Sequence, residues 1–219
     1  LPIGALILIA LGFLAKAGAA GLHIWLPGAY AEAEDDISPL FSGILSKVPV
    51  VGIFMVVVVI FAAGTGTAGG AAAGSGTAAG GLLLSILGWI GALTALFGAL
   101  LAVFQQDVKY LLAYSSMSQL GYIFMAFVMG TQLGWTTGLY LSMLHLTFKG
   151  MLFLAVAGVV LRTGTRAMHE MGGLIKRMPI TFIVALMAII ATSGVPPLAG
   201  FGGKWMLYTA LIERGWYFQ

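Results

Sequence analysis

The sequence predicts an all-α fold: a polytopic bundle of transmembrane helices with a discontinuous helix near its C-terminal end. Two observations set that class. Hydrophobic residues fill 60% of the 219 positions and charged residues only 8%, at a mean hydropathy of +1.05. A soluble domain carries about a quarter charged residues, so this chain has too few to cover a surface facing water. Several apolar runs also reach the length of about 20 residues that crosses a bilayer.

Six spans are predicted within one transmembrane domain over 1–219: 2–25, 38–63, 82–104, 108–129, 133–161 and 179–213. The first is apolar up to Ala15, with Gly18 and Gly21 loosening it just after Lys16, and His23-Ile24-Trp25-Leu26-Pro27 closing it. Trp25 suits an interfacial anchor and Pro27 a helix end. The link 64–81 is rich in Gly, Ala, Thr and Ser and reads as a flexible loop, because Gly this dense weakens a helix. The last span is too long. Its 35 residues, Pro179 to Glu213, would reach about 52 Å as one helix against a hydrocarbon core of about 30 Å. Its middle, Ser193 to Lys204, holds Pro196, Pro197 and four glycines, so two half-helices around an unwound stretch are predicted. Broken backbone at membrane depth is tolerated where protein or a water-filled cavity satisfies it, and it marks ion-coupling sites.

Orientation follows from basic residues near the ends of the spans. Lys109, Arg162, Arg166, Lys176 and Arg177 fall on one side and Arg214 on the other, which assigns the 105–109 turn and the 162–178 loop to the cytoplasm. The acidic run Glu32 to Asp36 then faces the same side. No charged signal-peptide start precedes the first span, no initiating Met is present, and the chain stops after a helix-like segment. These features predict a piece of a longer protein.

The net charge of +3 is spread along the chain without a basic tract, which excludes a nucleic-acid partner. There are no cysteines, which excludes disulfides, thiolate metal sites and iron–sulfur clusters. His23, His145 and His169 do not cluster, so no metal site and no cofactor are predicted, and any redox chemistry belongs to another subunit.

Four lysines stand in or near apolar segments: Lys16, Lys47, Lys149 and Lys204. A charge at mid-membrane costs at least a few kcal/mol and is rare unless it has a function. The competing reading is snorkelling to the headgroups, which fits least for Lys47 and Lys149, both deep within uncharged sequence. Lysine suits proton transfer because desolvation disfavours an ammonium, and a nearby charge can shift that balance. His145 and Lys149 are four apart, hence on one helix face with Ser142, and histidine titrates nearest physiological pH. Ser115, Ser118, Gln119 and Tyr122 form a polar stripe, suited either to interhelical hydrogen bonding or to a water-lined face. No acidic residue lies mid-span, so Lys16 is expected to pair with a carboxylate on a helix outside this sequence.

These residues also spell a resemblance. Phe13-Leu14-Ala15-Lys16 followed by Leu22-His23-Ile24-Trp25-Leu26-Pro27 is similar to a "K…LHxWLPxAH" signature. Ser42-Gly43-Ile44-Leu45-Ser46-Lys47 resembles "SGxLxK", and the run from Asp107-Val108-Lys109 to Gly121-Tyr122 resembles "DxKxxLAYSSxSQxGY". His145-Leu146-Thr147-Phe148-Lys149 resembles "HxxFK"; Met171 to Leu174 and Gly194 to Lys204 complete the pattern. The chain thereby resembles the proton-conducting membrane subunits shared by respiratory complex I, Mrp-type cation/proton antiporters and membrane-bound hydrogenases. Tyr30 stands where that pattern has His, Glu34-Asp35-Asp36 replaces an Ala-Pro stretch, and 64–81 has no counterpart.

The resemblance implies a subunit of some fourteen helices built on inverted five-helix repeats, of which this chain covers about helices 7 to 12. It implies that Lys16 is the central pump lysine, paired with a glutamate in the upstream half. Lys47 is its neighbour, and His145 and Lys149 connect toward Lys204 near the exit. The chain is then not catalytic alone. It is a subunit of a translocase such as NADH–quinone oxidoreductase or a hydrogenase relative, multi-pass in the bacterial or archaeal inner membrane. Its partners are other membrane subunits, the lipid bilayer and protons. The alternatives are an Mrp-type Na⁺/H⁺ antiporter subunit without redox coupling and a membrane scaffold that does not transport.

Overall fold

A computed structural model describes residues 3–35, 37–65 and 78–216. Its helices are α1 (Ile3–Ala17), α2 (Trp25–Ala31), α3 (Ser38–Leu40), α4 (Lys47–Thr65), α5 (Ala78–Val103), α6 (Val108–Val128), α7 (Gln132–Thr163), α8 (Leu174–Arg177), α9 (Pro179–Ser193) and α10 (Ala199–Arg214). A π-helical turn, Phe41–Leu45, joins α3 to α4, and a 3-10 turn, Met168–Glu170, precedes α8. The described residues contain no β-strand. Four stretches are long and apolar enough to cross a membrane: Ser38–Val59, Gly81–Val103, Val108–Val128 and Gln132–Thr163. They coincide with the four middle spans. The expected Gly-rich loop lies mostly outside the described residues; its flanks Gly64–Thr65 and Ala78–Gly81 are helical.

The two outer spans are both broken. The first, expected to be loosened at Gly18 and Gly21, stops outright at Ala17 and resumes as α2. Gly18 (φ +72°) and Gly21 (φ +90°) take left-handed backbone, which ends a helix. Side chains then satisfy the freed groups. Trp25 Nε1 donates to the Ala15 carbonyl at 2.8 Å, and Thr94 Oγ1 on α5 accepts from the Ala20 N–H at 3.0 Å. The last span breaks as expected but over a shorter stretch than Ser193 to Lys204. Gly194 (φ +77°) caps α9, and α10 begins at Ala199. Gly200, Gly202, Gly203 and Lys204 are therefore helical. Gly200 sits so close against the Ala191 carbonyl that a Cβ would overlap it, so it serves close packing and not unwinding.

Helix α6 is the centre of the bundle, touching α2, α4, α5, α7 and α10. Its contact with α5 is the tightest. A Cβ on Gly98 would lie 2.6 Å from the Ser118 nitrogen, and one on Gly121 would lie 2.5 Å from the Ala95 nitrogen. Such small-residue seams let membrane helices approach backbone to backbone.

One end of the bundle gathers the acidic run and the basic loops. Asp107 caps α6, accepting from the N–H groups of Lys109 (2.7 Å) and Tyr110 (3.4 Å). The Arg166 carbonyl accepts from Val108 N, and Arg166 Nη1 reaches Glu32 Oε2 at 3.5 Å. Lys109, expected in a solvated turn, is instead enclosed. Its side chain is 2% exposed, ion-paired with Asp35, and donates to the Ala33 carbonyl at 3.1 Å. Counting charges along a sequence assigns a side but cannot see residues 31–35 folding over the start of α6.

Candidate functional site

The site forms where the π turn delivers Lys47 to α7. Ser46 N donates to Phe41 O at 3.1 Å, a bond five residues long that inserts an extra residue into the helix. The turn buries Ser42 and Ser46. Lys47 Nζ donates to Ser46 Oγ at 2.9 Å, and Ser46 Oγ donates to the Ser42 carbonyl at 2.5 Å. Across the bundle, Lys47 Nζ meets His145 Nδ1 at 2.6 Å. An ammonium only donates. When Lys47 is an ammonium, Nδ1 is therefore the acceptor and a neutral imidazole carries its proton on Nε2.

His145 is 4% exposed, and its Nε2 has no hydrogen-bond partner among the described residues. A buried polar atom without a partner is costly. His145 borders a cavity of about 20 Å³ that also touches Gln119, Thr192 and Lys204. That volume holds about one water. On the far side, Lys204 Nζ donates to the Ser193 carbonyl at 3.0 Å and lies 5.6 Å from the Tyr122 ring centre. The last carbonyls of a helix carry partial negative charge and lack partners, so the broken end of α9 is a built-in cation acceptor.

Lys149 is 2% exposed and faces α6, donating to Ser115 Oγ at 2.6 Å and the Leu112 carbonyl at 3.2 Å. It makes no bond to His145, although the two share a helix face. Ser116 Oγ donates to the same Leu112 carbonyl at 2.8 Å and pairs with Ser42 Oγ at 2.9 Å. Lys149 and Lys47 are thus linked through Ser46, Ser42 and Ser116 by a path that uses two backbone carbonyls, those of Ser42 and Leu112. Ser142 hydrogen-bonds only its own helix, at Gly138 O.

Lys16 ends α1 and is exposed, and it makes no ion pair among the described residues. It borders a cavity of about 260 Å³ with Tyr30, Phe41 and Ser46, so this space runs from Lys16 to the hydroxyl that holds Lys47. His23 lies in the first break, its ring edge-on to Tyr114 at 6.5 Å.

The sequence reading missed Ser42, Ser46 and Ser116. A usable signal existed for two of them: Ser42 and Ser46 are one helical turn apart directly before Lys47. Of the polar stripe on α6, the interhelical hydrogen-bonding reading is met at Ser115. Ser115 hydrogen-bonds between helices, and Gln119 borders the small cavity. Among the described residues, no three acidic or histidine side chains gather as metal ligands.

The family profile described as "NADH:quinone oxidoreductase/Mrp antiporter, TM" matches residues 3–219. The chain is 32% identical over 215 residues to NADH-quinone oxidoreductase subunit N of Desulforudis audaxviator, covering 98% of this chain and 40% of that protein. It is 35% identical over 213 residues to hydrogenase-4 component B of Escherichia coli, covering 92% and 30%. Among solved structures, the Mrp complex from Dietzia superposes with a TM-score of 0.86 at 26% identity, over 98% of this chain and 37% of that one. The chain therefore spans well under half the length of the proteins it matches.

Proposed function

Since the chain belongs to the NADH:quinone oxidoreductase/Mrp antiporter family of multi-pass membrane proteins, we propose that it is the proton-carrying part of an antiporter-like subunit in a multisubunit membrane complex. Lys47, His145, Lys149 and Lys204 carry the proton, and Lys16 delivers it. The observation that most supports this is the 2.6 Å hydrogen bond between Lys47 Nζ and His145 Nδ1, made between two helices and partly buried. A lysine and a histidine so joined can exchange a proton without either charge crossing hydrocarbon.

In this reading the proton moves from Lys16 along the cavity to Ser46 and Lys47, then to His145 Nδ1. The proton on Nε2 leaves through the small cavity to Lys204. Lys149 sets the electrostatics from the α6 side. The host complex is a quinone- or hydrogen-linked translocase of a bacterial or archaeal inner membrane. A Na⁺/H⁺ exchanger without redox coupling is the second reading, favoured by the superposition on an Mrp complex.

The test is proton flux in proteoliposomes holding the complete complex. Lys47→Ala and Lys16→Ala should each abolish flux while the complex still assembles. Lys16→Arg should also fail, because a guanidinium keeps its proton. Normal flux in the Lys16→Arg complex would sink the exchange step at Lys16. Flux that requires Na⁺ in place of a redox substrate would select the second reading.

A further inference from the structure

We infer that the groove between α7 and α9 at the basic end of the bundle is a binding site for an anionic phospholipid with a hydroxylated headgroup, of the phosphatidylglycerol type. The inference rests on two adjoining spaces. A polar cavity of about 370 Å³ is bordered by Arg162, Thr163, Glu170, Gly172, Leu174 and Arg177. An apolar cleft of about 90 Å³ continues from it, sharing Leu174 and lined on α7 by Val156 and Val159 and on α9 by Met178 and Phe182. Val156, Val159, Arg162 and Thr163 recur at helical spacing, so one face of α7 runs from apolar to basic along a single groove.

The charges select the ligand. Neither Arg162 nor Arg177 makes an ion pair among the described residues. Two guanidinium groups facing one space suit a phosphodiester, which they can grip bidentately. Glu170 borders the same space, with Oε2 accepting from Thr165 Oγ1 at 2.6 Å and its other oxygen 3.8 Å from His169. The cavity therefore carries two positive charges and one negative. A phosphatidylglycerol, with one negative charge, neutralises the remainder, and its glycerol hydroxyls can donate to the carboxylate. A zwitterionic headgroup would leave the remainder unmatched.

The apolar part fits an acyl chain. Val156 to Arg162 spans about 9 Å of helix, within one leaflet of about 15 Å. Leu161 on α7 and Ile180 on α9 are each 77% exposed, so apolar side chains next in sequence to the lining residues face outward, as a lipid-facing surface requires. Basic pockets between helices on the cytoplasmic side are a recurrent setting for anionic lipids.

The experiment is native mass spectrometry of the complete complex, released from bilayers of equal phosphatidylglycerol, phosphatidylethanolamine and phosphatidylcholine. Retention of phosphatidylglycerol above the other two is expected. The Arg162→Ala/Arg177→Ala variant should hold it about 30-fold more weakly, as expected for two basic residues at a membrane surface. Val159→Trp leaves both arginines and should expel the lipid by filling the cleft, which keeps the test open if the arginine variant does not assemble. Equal retention of all three lipids would overturn the site. So would unchanged phosphatidylglycerol binding in the variants, or another protein segment filling the groove in the complete complex.

Discussion

The bond between Lys47 and His145 separates two roles for the histidine, anchor or carrier, and substitution can tell them apart. Among the described residues Lys47 Nζ makes two hydrogen bonds, 2.9 Å to Ser46 Oγ and 2.6 Å to His145 Nδ1. His145→Leu removes the second. A hydrogen bond to a charged group contributes about 1.5–3 kcal/mol, which is a factor of about 10 to 150 in any step that needs Lys47 held in place. His145→Leu should therefore lower proton flux whichever role is correct. His145→Gln is the decisive variant. Its amide oxygen can accept from Lys47 and preserve the anchor, but an amide does not titrate and cannot pass a proton on. In proteoliposomes, His145→Gln should assemble and melt close to the parent complex while flux falls about 100-fold or more, the loss expected for removing a positioned proton-transfer group. Parent-level flux in His145→Gln beside lost flux in His145→Leu would refute the carrier role and leave His145 a strut.

Further outcomes follow from the same geometry. Lys204→Met strips the Ser193 carbonyl of its partner and should lower the melting temperature as well as flux, at a cost of about 1 kcal/mol because the bond is exposed; an unchanged melt would show the bond is not made. Lys109 and Asp35 should respond unequally, because the lysine side chain is 2% exposed and the aspartate 25%. Asp35→Ala strands a buried ammonium and should cost about 3–5 kcal/mol; Lys109→Met leaves a carboxylate that can reach water and should cost less, as read by thermal melting in detergent. Gly98→Leu should prevent α5 from seating on α6 and abolish assembly, whereas Leu100→Gly on the open face of α5 (47% exposed) should not; expression and gel filtration would show the difference.

Much of the bundle was legible because hydrocarbon imposes simple rules: a span needs length and few charges, and a broken helix needs glycine or proline. Both breaks carry that signature, Gly18 and Gly21 in one and Gly194 with Pro196-Pro197 in the other. Their extent was not legible, since glycine serves two purposes. Gly194 takes left-handed backbone, whereas Gly200 lets α10 touch the Ala191 carbonyl, and a sequence shows the same letter for both. The lysines stood out against apolar surroundings, and three of the five relay candidates, Lys47, His145 and Lys204, converge. Which partner each lysine takes was hidden. Spacing on α7 suggested that Lys149 would join His145. Lys149 instead reaches Ser115 and Leu112 on α6, because side-chain direction and the neighbouring helix decide between two residues on one face. The burial of Lys109 was invisible because its partner Asp35 lies 74 residues away in sequence.

The two broken helices differ in what holds their loose ends, and that difference assigns them unequal roles. At the first break neutral groups do the work: the Trp25 indole takes the Ala15 carbonyl and the Thr94 hydroxyl takes the Ala20 N–H, while Lys16 has no part in it. Lys16 can change its protonation state without altering either bond. At the second break the lysine is itself the cap, with Lys204 Nζ on the Ser193 carbonyl at the negative end of α9. A cation at a helix C-terminus contributes about 0.3–1 kcal/mol, and up to about 2 when partly buried. Proton loss at Lys204 therefore weakens the closure of its own helix by up to about 30-fold. The first break is a scaffold for its lysine, and the second answers to its lysine's charge. Hydrogen exchange at the Val195 and Leu198 amides should consequently quicken in Lys204→Met, and backbone amides between Gly18 and Ile24 should be unmoved in Lys16→Met; equal responses at both breaks would contradict the distinction.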